Sequence, residues 1–162
     1  KHEVYLKNTL KKIDPKAELT ISGSYRRKKP DSGDIDLLLK AKNDEVYNTF
    51  IDSLKESEYL VEDLARGSKK YMGMCKGMNS KWCRRIDIMY TPPKEYPFAV
   101  LYFTGSKEFN VKMRNYLLER GYTLNEHGVE YTDKNKKFNE VFNTEKDIFN
   151  YFDYEYVEPH LR

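Results

Sequence analysis

The stretch that most constrains this chain is Ser32-Gly33-Asp34-Ile35-Asp36-Leu37-Leu38-Leu39, preceded closely by Gly23-Ser24-Tyr25-Arg26-Arg27. Ile35, Leu37 and Leu39 alternate with Asp34 and Asp36, the period of two expected of a strand with one buried face. Both carboxylates then project from the same side, where they repel. Such a pair is tolerated when something cationic lies between its members, and hard oxygen ligands suit Mg²⁺ held together with phosphates. The Gly-Ser pair ahead of the strand fits the same idea. Gly lets a backbone approach a ligand closely, and Ser can cap a helix whose N-terminal amides attract anions. The combination predicts a triphosphate-and-metal site, against the plainer alternative of an exposed strand face with solvated carboxylates.

Residues 81–90 read as a second strand, with Ile86 and Ile88 on one face and Arg85, Asp87 and Met89 on the other. Asp87 supplies a third carboxylate. If the two strands are neighbours, Asp34, Asp36 and Asp87 form a cluster able to hold two divalent ions, the arrangement used for in-line displacement at phosphorus.

Around these strands the pattern alternates between helix and strand. Leu6, Leu10 and Ile13 recur at helical spacing over residues 2–13, and residues 17–21 form a strand that delivers Gly23 and Ser24 to a short helix. Residues 28–31 turn into the acidic strand. An amphipathic helix over 45–54 buries Val46, Phe50, Ile51 and Leu54. Strands follow at 59–64 and 70–75, joined by a hairpin turn at 66–69. Thr91-Pro92-Pro93 interrupts the sheet pattern and marks a subdomain boundary. Beyond it, residues 96–103 read as a helix ending at Thr104-Gly105. Ser106 caps a second helix to about Arg120, which buries Phe109, Met113, Tyr116 and Leu117. Asn110 and Arg114 stand one turn apart on another face. A hairpin over 122–131, a short helix over 145–150 and an aromatic tail complete the chain.

Composition excludes several classes. A chain of 162 residues is long enough for one or two domains with a real core. It has no long apolar run and no signal-peptide pattern, so no membrane association is expected. Cys75 and Cys83 lack a Cys-x-x-Cys spacing and are expected to be reduced, which suits a reducing intracellular compartment, nucleus or cytoplasm, or a viral factory or virion for a viral chain. The net charge of +3 is polarised. Residues 1–29 carry nine Lys or Arg against three acids, and residues 64–90 carry seven against Asp87 alone. Residues 140–158 carry six acids against Lys146. Because the basic segments flank the acidic strands, they are read as a phosphate-backbone track.

The motifs Gly23-Ser24-x-x-Arg27, Ser32-Gly33-Asp34-x-Asp36, Arg84-Arg85-Ile86-Asp87-Ile88 and Tyr102-Phe103-Thr104-Gly105-Ser106, with Asn110 and Arg114 downstream, resemble those of a family X DNA polymerase of the beta type. The resemblance covers essentially the whole chain. It implies an α+β fold: a nucleotidyltransferase palm over residues 1–93, a mixed sheet with helices on one face, and an α/β-hairpin subdomain over 94–162 that binds the nascent base pair. The implied activity is template-directed DNA synthesis, adding deoxynucleoside triphosphates to a primer 3′-hydroxyl in gap filling during base excision repair. The implied cofactors are two Mg²⁺ ions, with Mn²⁺ an expected substitute, and the partner is gapped or primer–template DNA bound by a monomer.

The resemblance also distributes roles. Asp34 and Asp36 bridge both ions, while Asp87 binds the ion at the hydroxyl and takes its proton. Gly23, Ser24, Arg27, Ser32 and Gly33 hold the triphosphate. Tyr102, Phe103 and Gly105 pack against the incoming sugar, and Asn110 touches the incoming base. Lys70, Arg85 and Arg114 contact DNA. Two positions depart from the pattern: Met89 replaces an arginine that changes partners on closure, and His127 stands where a tyrosine is common. The first residue is Lys1 rather than Met, so a fragment is expected, without the family's lyase and helix-hairpin-helix regions and a triphosphate-pocket arginine that precedes the first helix. Two alternatives stay open: a template-independent or RNA-directed nucleotidyltransferase of the same fold, and a catalytically incompetent DNA-binding fragment.

Overall fold

A computed structural model describes residues 2–30, 33–76 and 83–162. The predicted site residue Ser32, the end of the 28–31 turn at Asp31, and the start of the second acidic strand at Lys81 and Trp82 lie outside the described residues. The chain divides into two compact units, residues 1–21 with 31–92 and residues 22–30 with 93–162.

The first unit is a five-stranded mixed sheet backed by two helices. Its strands are β1 (Glu18–Ile21), β2 (Ile35–Lys40), β3 (Leu60–Arg66), β4 (Lys70–Lys76) and β5 (Cys83–Thr91), in the order β1-β2-β5-β4-β3. Among the described residues, only β2 and β5 run parallel. The helices are α1 (His2–Ile13) and α3 (Asp44–Glu56). Leu6 and Leu10 of α1 and Tyr47, Phe50, Ile51 and Leu54 of α3 are each 0 or 1% exposed, packed with Leu37, Leu39, Ile86 and Ile88 from one face of the sheet. Asn43 begins α3 by accepting a hydrogen bond from the Val46 amide at 3.3 Å.

Several sequence expectations shift at their edges. Asp34 precedes β2 rather than lying in it, and β3 extends to Arg66 as an edge strand with two register irregularities. Gly67 closes the β3–β4 turn through its amide to the Lys70 carbonyl at 2.7 Å. Gly73 is required sterically, because a Cβ there would overlap the Tyr71 hydroxyl and the Glu62 carbonyl.

The second unit comprises α2 (Gly23–Arg26), α4 (Tyr96–Thr104), α5 (Lys107–Leu118), the hairpin β6 (Tyr122–Asn125) and β7 (Gly128–Tyr131), α6 (Glu145–Tyr151) and a 3-10 turn (Pro159–Leu161). Its core is aromatic: Phe98, Phe109, Phe142, Phe149 and Phe152 pack with Leu101, Met113, Leu117 and Ile148. Ser106 caps α5 by accepting from the Phe109 amide at 3.3 Å, and Gly121, with φ of 88°, follows the end of that helix. By packing, one segment from the first 93 residues groups with the second unit. Residues 22–30 belong with the second unit because Arg26 and Arg27 are hydrogen-bonded to Thr104 and Glu145.

Candidate active site

In the first unit the acids collect on the sheet face opposite the helices. The parallel register sets Asp36 of β2 directly beside Asp87 of β5, and both are half-buried. Asp34 stands exposed just ahead of β2. Burial pushes the Asp36 carboxyl up, and the charges of Asp87 and Asp34 push it further; Lys70 and Arg85 pull the other way. Arg85 donates from Nε to Asp87 Oδ1 at 3.3 Å. Across the β4–β5 ladder Lys70 lies opposite Met89, and Met72 lies opposite Asp87. Met89 therefore adds an apolar thioether beside the acids where an arginine would add a charge.

The expectation of a cluster requires one correction. Among the described residues no three Asp, Glu, His or Cys side chains are gathered closely enough to form a ready metal cage. The carboxylates nevertheless fit a hard divalent ion in chemistry and placement. They are oxygen donors on one surface, and the like-charge repulsion that raises Asp36 is the repulsion a cation relieves.

In the second unit, Ser24 sits inside the single turn of α2, not at its cap. The capping position belongs to Ser22, whose side chain makes no capping hydrogen bond. The helix-terminus argument for Ser24 therefore does not hold. Arg27 donates from one Nη to the Thr104 carbonyl at 2.6 Å, while its Nε is buried without a hydrogen-bond partner among the described residues. Gly105 adopts a φ of 66°, and a Cβ there would come within 3.0 Å of the Arg27 guanidinium. Tyr102 and Phe103 are half-buried and meet edge to face at 4.9 Å. Asn110 donates its amide N–H to the Tyr102 carbonyl at 2.8 Å, tying α5 to the end of α4. Tyr102, Asn110 and Arg114 share a small cleft with Phe98, Leu124 and Asn125.

What sequence reasoning missed is the polar centre of this unit. Glu145, 7% exposed, binds Arg26 at 2.5 Å and Arg162 at 2.7 Å. Arg26 also donates to Thr104 Oγ1 at 2.7 Å, and Arg162 packs its guanidinium against Phe109, Phe149 and Tyr156. Burial works against the Glu145 charge, but hydrogen bonds and charge from the two arginines outweigh it and hold the carboxyl below its ordinary range. The only sequence signal was an acid in the first turn of α6, which reads as ordinary helix capping. Thr144 and Asp147 do that work in a capping box, leaving Glu145 turned inward. His127, at the β6–β7 turn, bonds through Nδ1 to Glu95 at 2.6 Å.

The two stretches of the chain on either side of Pro93 match known families. The chain matches the DNA polymerase beta palm over residues 1–93 and the DNA polymerase beta thumb over residues 99–162. It is 33% identical over 156 residues to DNA polymerase lambda of Rattus norvegicus, covering 85% of this chain and 27% of that protein. DNA polymerase lambda of Arabidopsis thaliana is 27% identical, covering 91% of this chain and 32% of the relative. DNA nucleotidylexotransferase of Xenopus laevis is 26% identical, covering 97% and 38%. The chain thus spans between 27% and 38% of the length of these curated relatives. Paired palm and thumb matches in chain order, on a mixed sheet whose parallel strands set Asp36 beside Asp87, make this chain a member of family X of the DNA polymerases.

Proposed function

We propose that the chain carries out template-directed extension of a DNA primer, as in the filling of short gaps during repair. The observation that carries this reading is the side-by-side placement of Asp36 and Asp87 with Asp34 near enough to raise Asp36. In the reaction the primer 3′-oxygen attacks the α-phosphorus of a deoxynucleoside triphosphate. Its proton passes to Asp87, the bond to the bridging oxygen breaks, and pyrophosphate leaves. Asp34 and Asp36, with Asp87 on the hydroxyl side, would hold two divalent ions, which when bound acidify the hydroxyl and neutralise charge on the triphosphate.

The other residues bind and orient. The Nε of Arg27, buried and without a hydrogen-bond partner among the described residues, is donor capacity suited to a phosphate, and the resemblance assigns Ser24, Gly23 and Gly33 to the triphosphate as well. Tyr102, Phe103 and Gly105 are assigned to the deoxyribose and Asn110 to the incoming base. Lys70, Arg85 and Arg114 are assigned to the DNA strands. A second reading, template-independent addition, draws on the similarity to the nucleotidylexotransferase. Against it stands Tyr102-Phe103, where template-independent members of the family typically carry Gly-Trp. Extension of a primer on gapped DNA, compared with the same primer single-stranded, in Mg²⁺, tests the proposal. Extension dictated by the template base supports it, and equal extension of both substrates with no base selection refutes it.

A further inference from the structure

We infer that Tyr47, a buried residue of α3, positions Lys70 for the DNA contact assigned to it by holding the β3–β4 turn from behind the sheet. The Tyr47 ring is fully buried and lies 6.3 Å from that of Tyr90, a space that Phe would fill equally well. What the hydroxyl adds is one hydrogen bond, donated to the Gly67 carbonyl at 3.0 Å. Gly67 passes that anchor on, because its own amide donates to the Lys70 carbonyl at 2.7 Å. Through Gly67, the backbone of Lys70 is thereby tied to α3. Next to it, Arg66 donates to Asp52 Oδ1 at 2.9 Å and to Asn48 Oδ1 at 3.2 Å, acceptors one turn apart on the same helix. From β5, the Tyr90 amide donates to the Lys69 carbonyl at 2.7 Å.

Anchoring matters because the tip of this hairpin has no core of its own. Every residue from Val61 to Lys70 is exposed, and both register irregularities fall within β3, so packing does little to fix the turn. Affinity for a phosphate then depends on how much freedom the turn must give up on binding. A lysine ammonium is a point charge on a flexible stem, and its reach is set by where its Cα is held. Lys70 stands on the acidic face of the sheet, opposite Met89 and near enough to Asp36 for its charge to be felt there. A frayed turn would let that charge wander along the face. The inference rests on the proposed polymerase function and deepens it, assigning the placement of one DNA contact to a side chain that has no exposed surface of its own.

The test is a double-mutant cycle between Tyr47→Phe and Lys70→Gln, read as affinity for gapped DNA by fluorescence anisotropy over a series of salt concentrations. Tyr47→Phe keeps the ring and removes the bond, so it should weaken binding about threefold to tenfold and flatten the dependence of log affinity on log salt. In the Lys70→Gln background it should cost nothing further. In primer extension Tyr47→Phe should raise KM for gapped DNA with little change in kcat, as expected of a contact made equally in the ground and transition states. Asp52→Asn, which loosens Arg66 from an exposed site, should act in the same direction and likewise lose its effect in the Lys70→Gln background. Unchanged affinity in Tyr47→Phe overturns the inference. An equal loss in both backgrounds also overturns it, leaving the hydroxyl as a stabiliser of the fold alone. So does a salt slope that Lys70→Gln leaves unchanged, since there is then no contact to position. Extension by the unmutated protein separates the two levels: template-directed extension without coupling between Tyr47 and Lys70 removes the positioning role alone, whereas a protein that neither extends the primer nor binds gapped DNA loses the polymerase reading as well.

Discussion

Glu145→Gln changes one atom type at the polar centre of the second unit, and its cost follows from the geometry. Two guanidiniums converge on one carboxylate that is 7% exposed, with Arg26 at 2.5 Å and Arg162 at 2.7 Å. Gln keeps the volume and one acceptor oxygen. Its amide NH₂ must then face a guanidinium donor, and two positive charges lose their shared counter-ion. Breaking a buried pair from one side costs about 3–5 kcal/mol, and the retained acceptor places this case near 3 kcal/mol. That is a large fraction of the roughly 5–15 kcal/mol that stabilises a whole domain. Urea denaturation at neutral pH reads it as a lower midpoint with an unchanged slope. The sign with pH is fixed because Glu145 has a depressed carboxyl. Its stabilisation is fully present above the ordinary value of 4.5 and disappears as pH falls through the lower folded value, so the two proteins should converge in acid. A loss below about 1 kcal/mol at neutral pH, or a gap that widens in acid, would refute the reasoning.

Further perturbations address the site and the sheet. Asp87→Ala should abolish primer extension while leaving affinity for gapped DNA nearly intact, because the proposed role of Asp87 is at the attacking hydroxyl; extension at the original rate would remove it from the chemistry. Replacing Lys70 with Gln should reduce the slope of log affinity against log salt by about one, and an unchanged slope would leave Lys70 as solvated surface. Deoxynucleotides should be preferred over ribonucleotides by on the order of a hundredfold in kcat/KM on one gapped template, with Tyr102→Ala relaxing the preference; equal efficiencies in the unmutated protein would mean that the stretch from Tyr102 to Gly105 does not gate the sugar. Gly73→Ala should destabilise the first unit by about 1–3 kcal/mol in thermal unfolding, since its methyl meets the Tyr71 hydroxyl and the Glu62 backbone; a neutral effect would mean the β3 edge yields freely.

The acidic strands were legible because alternation encodes a half-buried strand directly: Ile35, Leu37, Ile86 and Ile88 had to face a core, and Asp36 and Asp87 had to face away from it. That β2 and β5 are partners is a long-range fact which periodicity does not contain. It came within reach through motif resemblance. The packing of residues 22–30 with the second unit is a long-range fact that continuity in sequence does not carry. Arg26 and Arg27 look like surface cations in a basic stretch, yet their hydrogen bonds to Glu145 and Thr104 bind that segment to the second unit. Glu145 was hidden for the complementary reason. In an acid-rich stretch, pattern alone cannot separate the carboxylate that turns inward from those that stay in water.

The pairing of β2 with β5 also bears on how the protein acquires its chemistry. Their parallel register requires residues 41–82 to be looped out, and that excursion contains a helix and the β3–β4 hairpin, which can form from local contacts. Loop-closure entropy makes such a non-local contact costly early in folding, so the β1–β2 and β3–β4–β5 pieces are free to form before the seam between them closes. Asp36 and Asp87 meet only across that seam. A partly folded chain can thus own every strand and both acids and still hold the two carboxylates apart. During synthesis, the two carboxylates cannot come side by side until β5 has emerged and docked.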